Sequence, residues 1–141
     1  MELTIANRHP ARARRLAAWI ARTRPGCRVR AMALGQARVE GAGLVVNATT
    51  VGMRASDPTL IDPAALSRRT VVYDLVYQHE TRLVRAARRR GCVAAGGLSM
   101  LLYQGAESLR LWLRRDPPID AMRAALLRAM RSSECGMRNW K

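Results

Sequence analysis

Leu44-Val45-Val46-Asn47-Ala48-Thr49-Thr50-Val51-Gly52-Met53 is an apolar run that breaks abruptly into an amide, two hydroxyls and a glycine. Leu44 to Val46 reads as a short buried strand, and the polar block as the loop at its exit. The same grammar recurs twice. Val71-Val72 leads into Tyr73-Asp74-Leu75-Val76-Tyr77, and Val93-Ala94-Ala95 leads through Gly96 into Gly97-Leu98-Ser99-Met100-Leu101-Leu102-Tyr103-Gln104. In open parallel sheets, ligands bind in the crevice beyond the carboxyl ends of the strands. Polar or glycine-rich blocks at successive strand exits therefore predict one ligand crevice lined by loops.

Working outward, Leu3 to Ala6 reads as a strand, and Pro10 suits the first turn of a helix. Ala13, Leu16, Ala17 and Ile20 recur at helical spacing to about Arg24, where Pro25-Gly26 stops the helix. Cys27 to Leu34 is a second strand and Gly35 to Gly43 a connection with room for one helical turn. Asp62-Pro63 starts a short helix through Leu66, Val71 to Asp74 is a strand, and Glu80 to Arg90 is a helix ended by Gly91. Ser99 to Arg114 is a longer helix with Leu101, Leu102, Leu109 and Trp112 broadly on one side. Pro117-Pro118 breaks the chain before a last helix from Ile119 to Arg131, and Ser132 to Lys141 is expected to be a patternless, disordered tail. Residues 1–131 thus form the expected domain. Strand and helix alternate, which predicts an α/β fold with a parallel sheet and right-handed crossovers. Gly41-Ala42-Gly43 precedes its strand, whereas a pyrophosphate loop follows one, so it is read as an ordinary turn.

Composition bounds the function. The 141 residues suffice for one domain. No apolar run is long enough to span a membrane, and the first residues are polar and mixed rather than leader-like. Cys27, Cys92 and Cys135 are widely spaced and His9 and His79 isolated, so no zinc pattern exists, and unpaired thiols suit a cytoplasmic location. The net charge of +15 invites a nucleic-acid reading. Yet Lys141 is the only lysine, phenylalanine is absent, and the arginines are spread over every segment. That is the usage of a GC-rich coding sequence. No aromatic stacking platform accompanies the charge, so no specific nucleic-acid partner is expected.

The blocks carry the chemistry. Asn47, Thr49 and Thr50 can bond the backbone and hold a loop open, and Gly52 permits a conformation that would strain other residues. Asp74 is read as an acceptor for loop amides rather than a general base. Gly97 allows close approach to a flat ring, Met100 offers that ring a soft contact, and Gln104 lies one helical turn further on the same face. Each has a plainer explanation, namely an Asx turn for Asn47, a core position for Met100 and a surface helix residue for Gln104.

Together with Asn7-Arg8-His9-Pro10-Ala11-Arg12, these blocks resemble the cofactor-binding domain of the NADP-dependent shikimate dehydrogenases, over nearly all of the chain. The resemblance implies a Rossmann-like doubly wound parallel sheet lacking its first strand and glycine-rich loop, with helices at the carboxyl end. It implies NADP as cofactor and shikimate or 3-dehydroshikimate as the small-molecule substrate. Asn7, Arg8, His9 and Arg12 would meet the adenosine ribose, where arginine accommodates a 2′-phosphate. His9 departs from the usual threonine. Asn47 and Thr49 would lie along the nicotinamide-ribose side, and Leu75, Gly97 and Met100 by the nicotinamide. Tyr77 and Gln104 would reach the substrate. The family's proton-transferring lysine and aspartate come from a preceding substrate domain with no counterpart here, so no catalytic residue is assigned and the chain alone is expected to be inactive. A non-catalytic remnant or binding module is one alternative. An NAD-using quinate/shikimate dehydrogenase is another, against which Arg8 and Arg12 argue. A missing central strand would leave unpaired sheet edges, which predicts homo-oligomerisation or other association through them.

Overall fold

The computed structural model describes residues 1–136, with side chains described to residue 131. It divides into two compact units, Met1–Glu40 and Gly41–Lys141.

In the first unit, strand β1 (Glu2–Asn7) runs into helix α1 (Pro10–Thr23), which returns the chain to strand β2 (Arg28–Ala33). The strands pair in parallel, Glu2 opposite Arg28 through Asn7 opposite Ala33. Pro10 sits in the first turn of α1, where its missing N–H costs nothing. The helix buries Ala13 and Ala17 and packs against both strands. Leu16, expected on the inner face, is 46% exposed; the buried positions of α1 are Ala13 and Ala17, one turn apart.

In the second unit, β3 (Leu44–Asn47), β4 (Val71–Asp74) and β5 (Val93–Gly96) form a parallel sheet in that order. Helix α2 (Arg82–Arg89) crosses from β4 to β5, and α3 (Leu98–Leu113) pairs with α4 (Ile119–Gly136). Within each unit the strands are parallel and neighbours in space follow chain order, β1-β2 in the first and β3-β4-β5 in the second, as in doubly wound α/β folds. The core of this unit is built from Val72, Val76, Leu83, Val84, Ala87 and Leu102. Leu83, Val84, Ala86 and Ala87 give α2 its inner face, and α2 packs on β4 and β5.

Three expectations change. Leu44 to Val46 is not buried on both faces: Leu44 and Val46 are exposed, as are Val71 and Val93, which the register places on the same face. Helix α2 covers only the other face. The helix expected from Glu80 starts at Arg82, because the Thr81 hydroxyl accepts the Val84 N–H and so caps it. Helix α4 continues to Gly136, into the expected tail, since no proline or glycine interrupts Ser132 to Cys135; residues 137–141 lie outside the described residues. The expected connection after β2 contains a single 3-10 turn, Leu34–Gln36, and the Asp62 helix is likewise one 3-10 turn, Pro63–Ala65, with the Asp62 carboxylate accepting from Ala64 N–H. Among the described residues no helix is long and apolar enough to cross a membrane.

Candidate functional site

Every predicted block lies at the carboxyl end of a parallel strand: Asn7 ends β1, Asn47 ends β3, Asp74 ends β4, and Gly97 follows β5. The first block belongs to the first unit and the others to the second.

In the first unit, the Asn7 side-chain oxygen accepts the His9 N–H at 2.8 Å, an Asx turn that sets the entry to α1. His9 occupies the N-cap position without a side-chain capping bond. Arg8 and Arg12 are exposed, and neither guanidinium has a hydrogen-bond or ion-pair partner among the described residues. Two free planar forks at a strand exit suit the oxygens of a phosphate.

In the second unit, the blocks are joined by continuous hydrogen bonding. The Asn47 amide nitrogen donates to the Val51 carbonyl and to Asp74 Oδ1, each at 2.9 Å. Its oxygen accepts from the Thr49 N–H and from Thr49 Oγ1. Thr49 Oγ1 in turn accepts from the Val51 N–H. Asp74 Oδ1 also accepts the Val76 N–H, and Oδ2 accepts the Thr81 hydroxyl at 2.6 Å. The Val76 carbonyl accepts from the Gly97 N–H, and the Asn47 carbonyl from the Leu75 N–H. Asn47, Asp74 and Thr81 are almost wholly buried. Among the described residues no buried side-chain polar atom lacks a partner, as a stable polar network requires.

The side-chain amide of Asn47 and the hydroxyl of Thr49 are thus engaged within the protein, where they shape the loop. Tyr77 and Gly97 line one cavity of about 180 Å³, together with Val76, His79, Gly96 and Leu98. Met100 and Gln104 do not line it; both are exposed on α3, and the Gln104 amide donates to the Leu101 carbonyl of its own helix. Leu75 is half-buried and held by its backbone. A second cavity of about 180 Å³ lies beside the Asn47–Asp74–Thr81 network and is bounded by Gly52, Asp57, Arg54 and Arg82.

Two contributors escaped the sequence reading. Thr81 closes the network, for which its place one residue before a helix was the available signal. Asp57 braces the loop after β3, its Oδ2 accepting the Gly52 and Arg54 N–H groups at 2.9 and 3.1 Å. Those amides, that of Arg54 foremost, hold its carboxyl below the ordinary range, aided by the Arg54 and Arg82 guanidiniums. Among the described residues no cluster of His, Cys, Asp or Glu could hold a metal ion.

Known proteins resemble this chain over most of its length. Residues 97–127 match the Shikimate 5'-dehydrogenase C-terminal domain. A shikimate dehydrogenase (NADP(+)) of Methanothrix thermoacetophila is 40% identical over 129 residues, covering 92% of this chain and 46% of that protein. A shikimate dehydrogenase solved in complex with NADP+ superposes with a TM-score of 0.81 at 29% identity, over 90% of this chain and 46% of the other. The quinate dehydrogenase of Corynebacterium glutamicum in complex with NAD gives a TM-score of 0.78 at 32% identity, over 89% and 46%. The chain spans about half the length of the proteins it matches. Over about nine-tenths of its own length this chain is similar to shikimate dehydrogenases, and residues 97–127 match their C-terminal domain.

Proposed function

We propose that this chain is the cofactor-binding part of a shikimate dehydrogenase-type oxidoreductase that uses NADP and acts on shikimate or 3-dehydroshikimate in the cytoplasm. The observation that carries the proposal is the hydrogen-bonded linkage of the strand-exit blocks around Asp74, with Tyr77 and Gly97 brought to one cavity. The residues present fit the cofactor. In the first unit Arg8 and Arg12 offer unpaired guanidiniums for the 2′-phosphate, and in the second Val76, Tyr77 and Gly97 line a cavity that suits the nicotinamide side. Bound NADPH would supply the hydride. This chain's own residues would bind and orient: Tyr77 and Gln104 toward the substrate, Met100 and Leu75 against the ring. None is assigned the proton transfer, and the only lysine, Lys141, lies outside the described residues. The isolated chain therefore binds cofactor without turnover.

Similarity to a quinate dehydrogenase solved with NAD supports a second reading, in which NAD is the cofactor. Calorimetric titration separates the two. NADP should bind the isolated chain more tightly than NAD, and Arg12→Ala should remove most of that difference, since a charge-assisted bond contributes about 1.5–3 kcal/mol. Equal affinities, unchanged by the substitution, would favour the NAD reading.

A further inference from the structure

We infer that Asp74 is a positioning residue: it pins both ends of the 75–81 loop, which carries Leu75 and Tyr77, and through Asn47 it ties that loop to the Thr49 turn. The inference rests on the proposed cofactor reading and extends it to a fully buried residue.

Asp74 ends β4 and is completely buried, yet all of its partners are neutral. A carboxylate in such a place is costly unless every oxygen is satisfied by well-aimed donors. Oδ1 takes the Val76 N–H at 3.1 Å, at the start of the loop, and Oδ2 takes the Thr81 hydroxyl at 2.6 Å, at its end. The second bond has a fixed direction. A carboxylate oxygen can only accept, so the Thr81 hydroxyl gives its hydrogen to Asp74 while its oxygen accepts the Val84 N–H as the cap of α2. The third donor, Asn47, carries the connection to the neighbouring strand exit, where its oxygen holds Thr49. On the far side Gly97 N–H holds the Val76 carbonyl. Tyr77, 38% exposed, thus rides on a loop anchored at each end by the same carboxylate. An aspartate does this where an asparagine would not. Asparagine would put an N–H₂ in place of Oδ2, leaving the Thr81 hydroxyl hydrogen without this acceptor.

The test compares Asp74→Asn, Thr81→Val and Thr81→Ser in the full chain. One readout is the affinity for NADP against that for 2′,5′-ADP, which lacks the nicotinamide half. The other is amide exchange along the chain. In Asp74→Asn and Thr81→Val, amides of residues 76–81 should gain at least about tenfold more exchange than those of β3, β4 and β5, the loss of one charge-assisted bond. The NADP to 2′,5′-ADP affinity ratio should fall by a similar factor, with 2′,5′-ADP affinity itself unchanged. Thr81→Ser, which keeps the hydroxyl, should behave like the parent. The inference is overturned if loop and strands gain exchange alike, if both ligands weaken equally, or if Thr81→Ser behaves like Thr81→Val. If the parent chain binds neither nucleotide, the proposed function fails, while the exchange comparison still decides the role of Asp74. Should Asp74→Asn not fold, the Thr81 pair carries the test.

Discussion

The α-carbon of Gly97 is packed against the Leu75 carbonyl so closely that a β-carbon there would lie 2.2 Å from its oxygen and 2.6 Å from its carbon. Both atoms are backbone, and the segment they belong to is held by the Asn47 carbonyl and by Asp74. The clash therefore has no side chain to absorb it. Gly97 has φ −76°, which any residue adopts, so space and not conformation demands glycine.

Gly97→Ala should accordingly destabilise the second unit by more than the roughly 1–3 kcal/mol of ordinary overpacking. Urea unfolding of parent and variant measures it. A midpoint shift within error would mean that the backbone at Leu75 yields freely, contrary to its hydrogen bonding.

This relationship also shows where sequence reasoning stops. The sequence offers Gly97 for the approach of a ligand ring; the fold adds a demand of its own, because the Leu75 backbone occupies the place of a β-carbon. Local rules placed the strands well: β4 is Val71–Asp74 as expected, and α2 ends before Gly91. They placed Asp74 as an acceptor for loop amides, which it is, through Val76 N–H. What they could not give is the partner across the fold. The Asp74–Thr81 and Asn47–Asp74 bonds depend on register between strands and on the angle at which α2 leaves its loop. Periodicity also overreaches at helix rims: it groups Trp112 with Leu101 and Leu102, yet Trp112 is 75% exposed and α3 buries only Leu102 and Ala106.

The two faces of the β3-β4-β5 sheet should respond differently to truncation. Val72 is fully buried under α2, whereas Val93 is 70% exposed on the opposite face. Removing two methyl groups from a filled site costs about 0.8 kcal/mol per group plus a cavity contribution. Val72→Ala should thus cost about 2 kcal/mol or more, and Val93→Ala less than about 0.5 kcal/mol. Denaturant melts of both variants test this; equal losses would mean that the exposed face is covered in solution.

Gly52 has φ +103°, in the region that side chains avoid, and a β-carbon there would lie 3.2 Å from the Thr81 methyl. Gly52→Ala should therefore lose about 1–2 kcal/mol from backbone strain, more if Thr81 cannot shift. Since Thr81 closes the Asp74 network, the accompanying loss of protection should appear at residues 76–81. Thermal unfolding together with amide exchange would show whether both effects occur, and a neutral substitution would mean that the turn relaxes to another conformation.

Asp57 supplies a pH dependence whose sign can be worked out. Its carboxyl is held below its ordinary value, first by the Arg54 N–H, then by the Gly52 N–H, with the Arg54 and Arg82 guanidiniums adding to them and partial burial opposing. A group depressed in the folded state stabilises it fully above its unfolded value and loses that contribution as pH falls through the folded one. The turn from Gly52 to Asp57 should therefore stay intact through the neutral range and through mild acid. It should loosen only below about pH 3.9, the ordinary aspartate value. Chemical shifts of the Gly52 and Arg54 amides, followed through an acid titration, report it directly, because those are the groups that lose their acceptor. The midpoint should lie below the ordinary value. Added salt should raise it only in part, since screening weakens the guanidinium contribution and leaves the short N–H contacts in place. A midpoint at or above the ordinary value would show that the two amides do not hold this carboxylate in solution. It would also remove the brace from the loop that bounds the cavity beside Asn47.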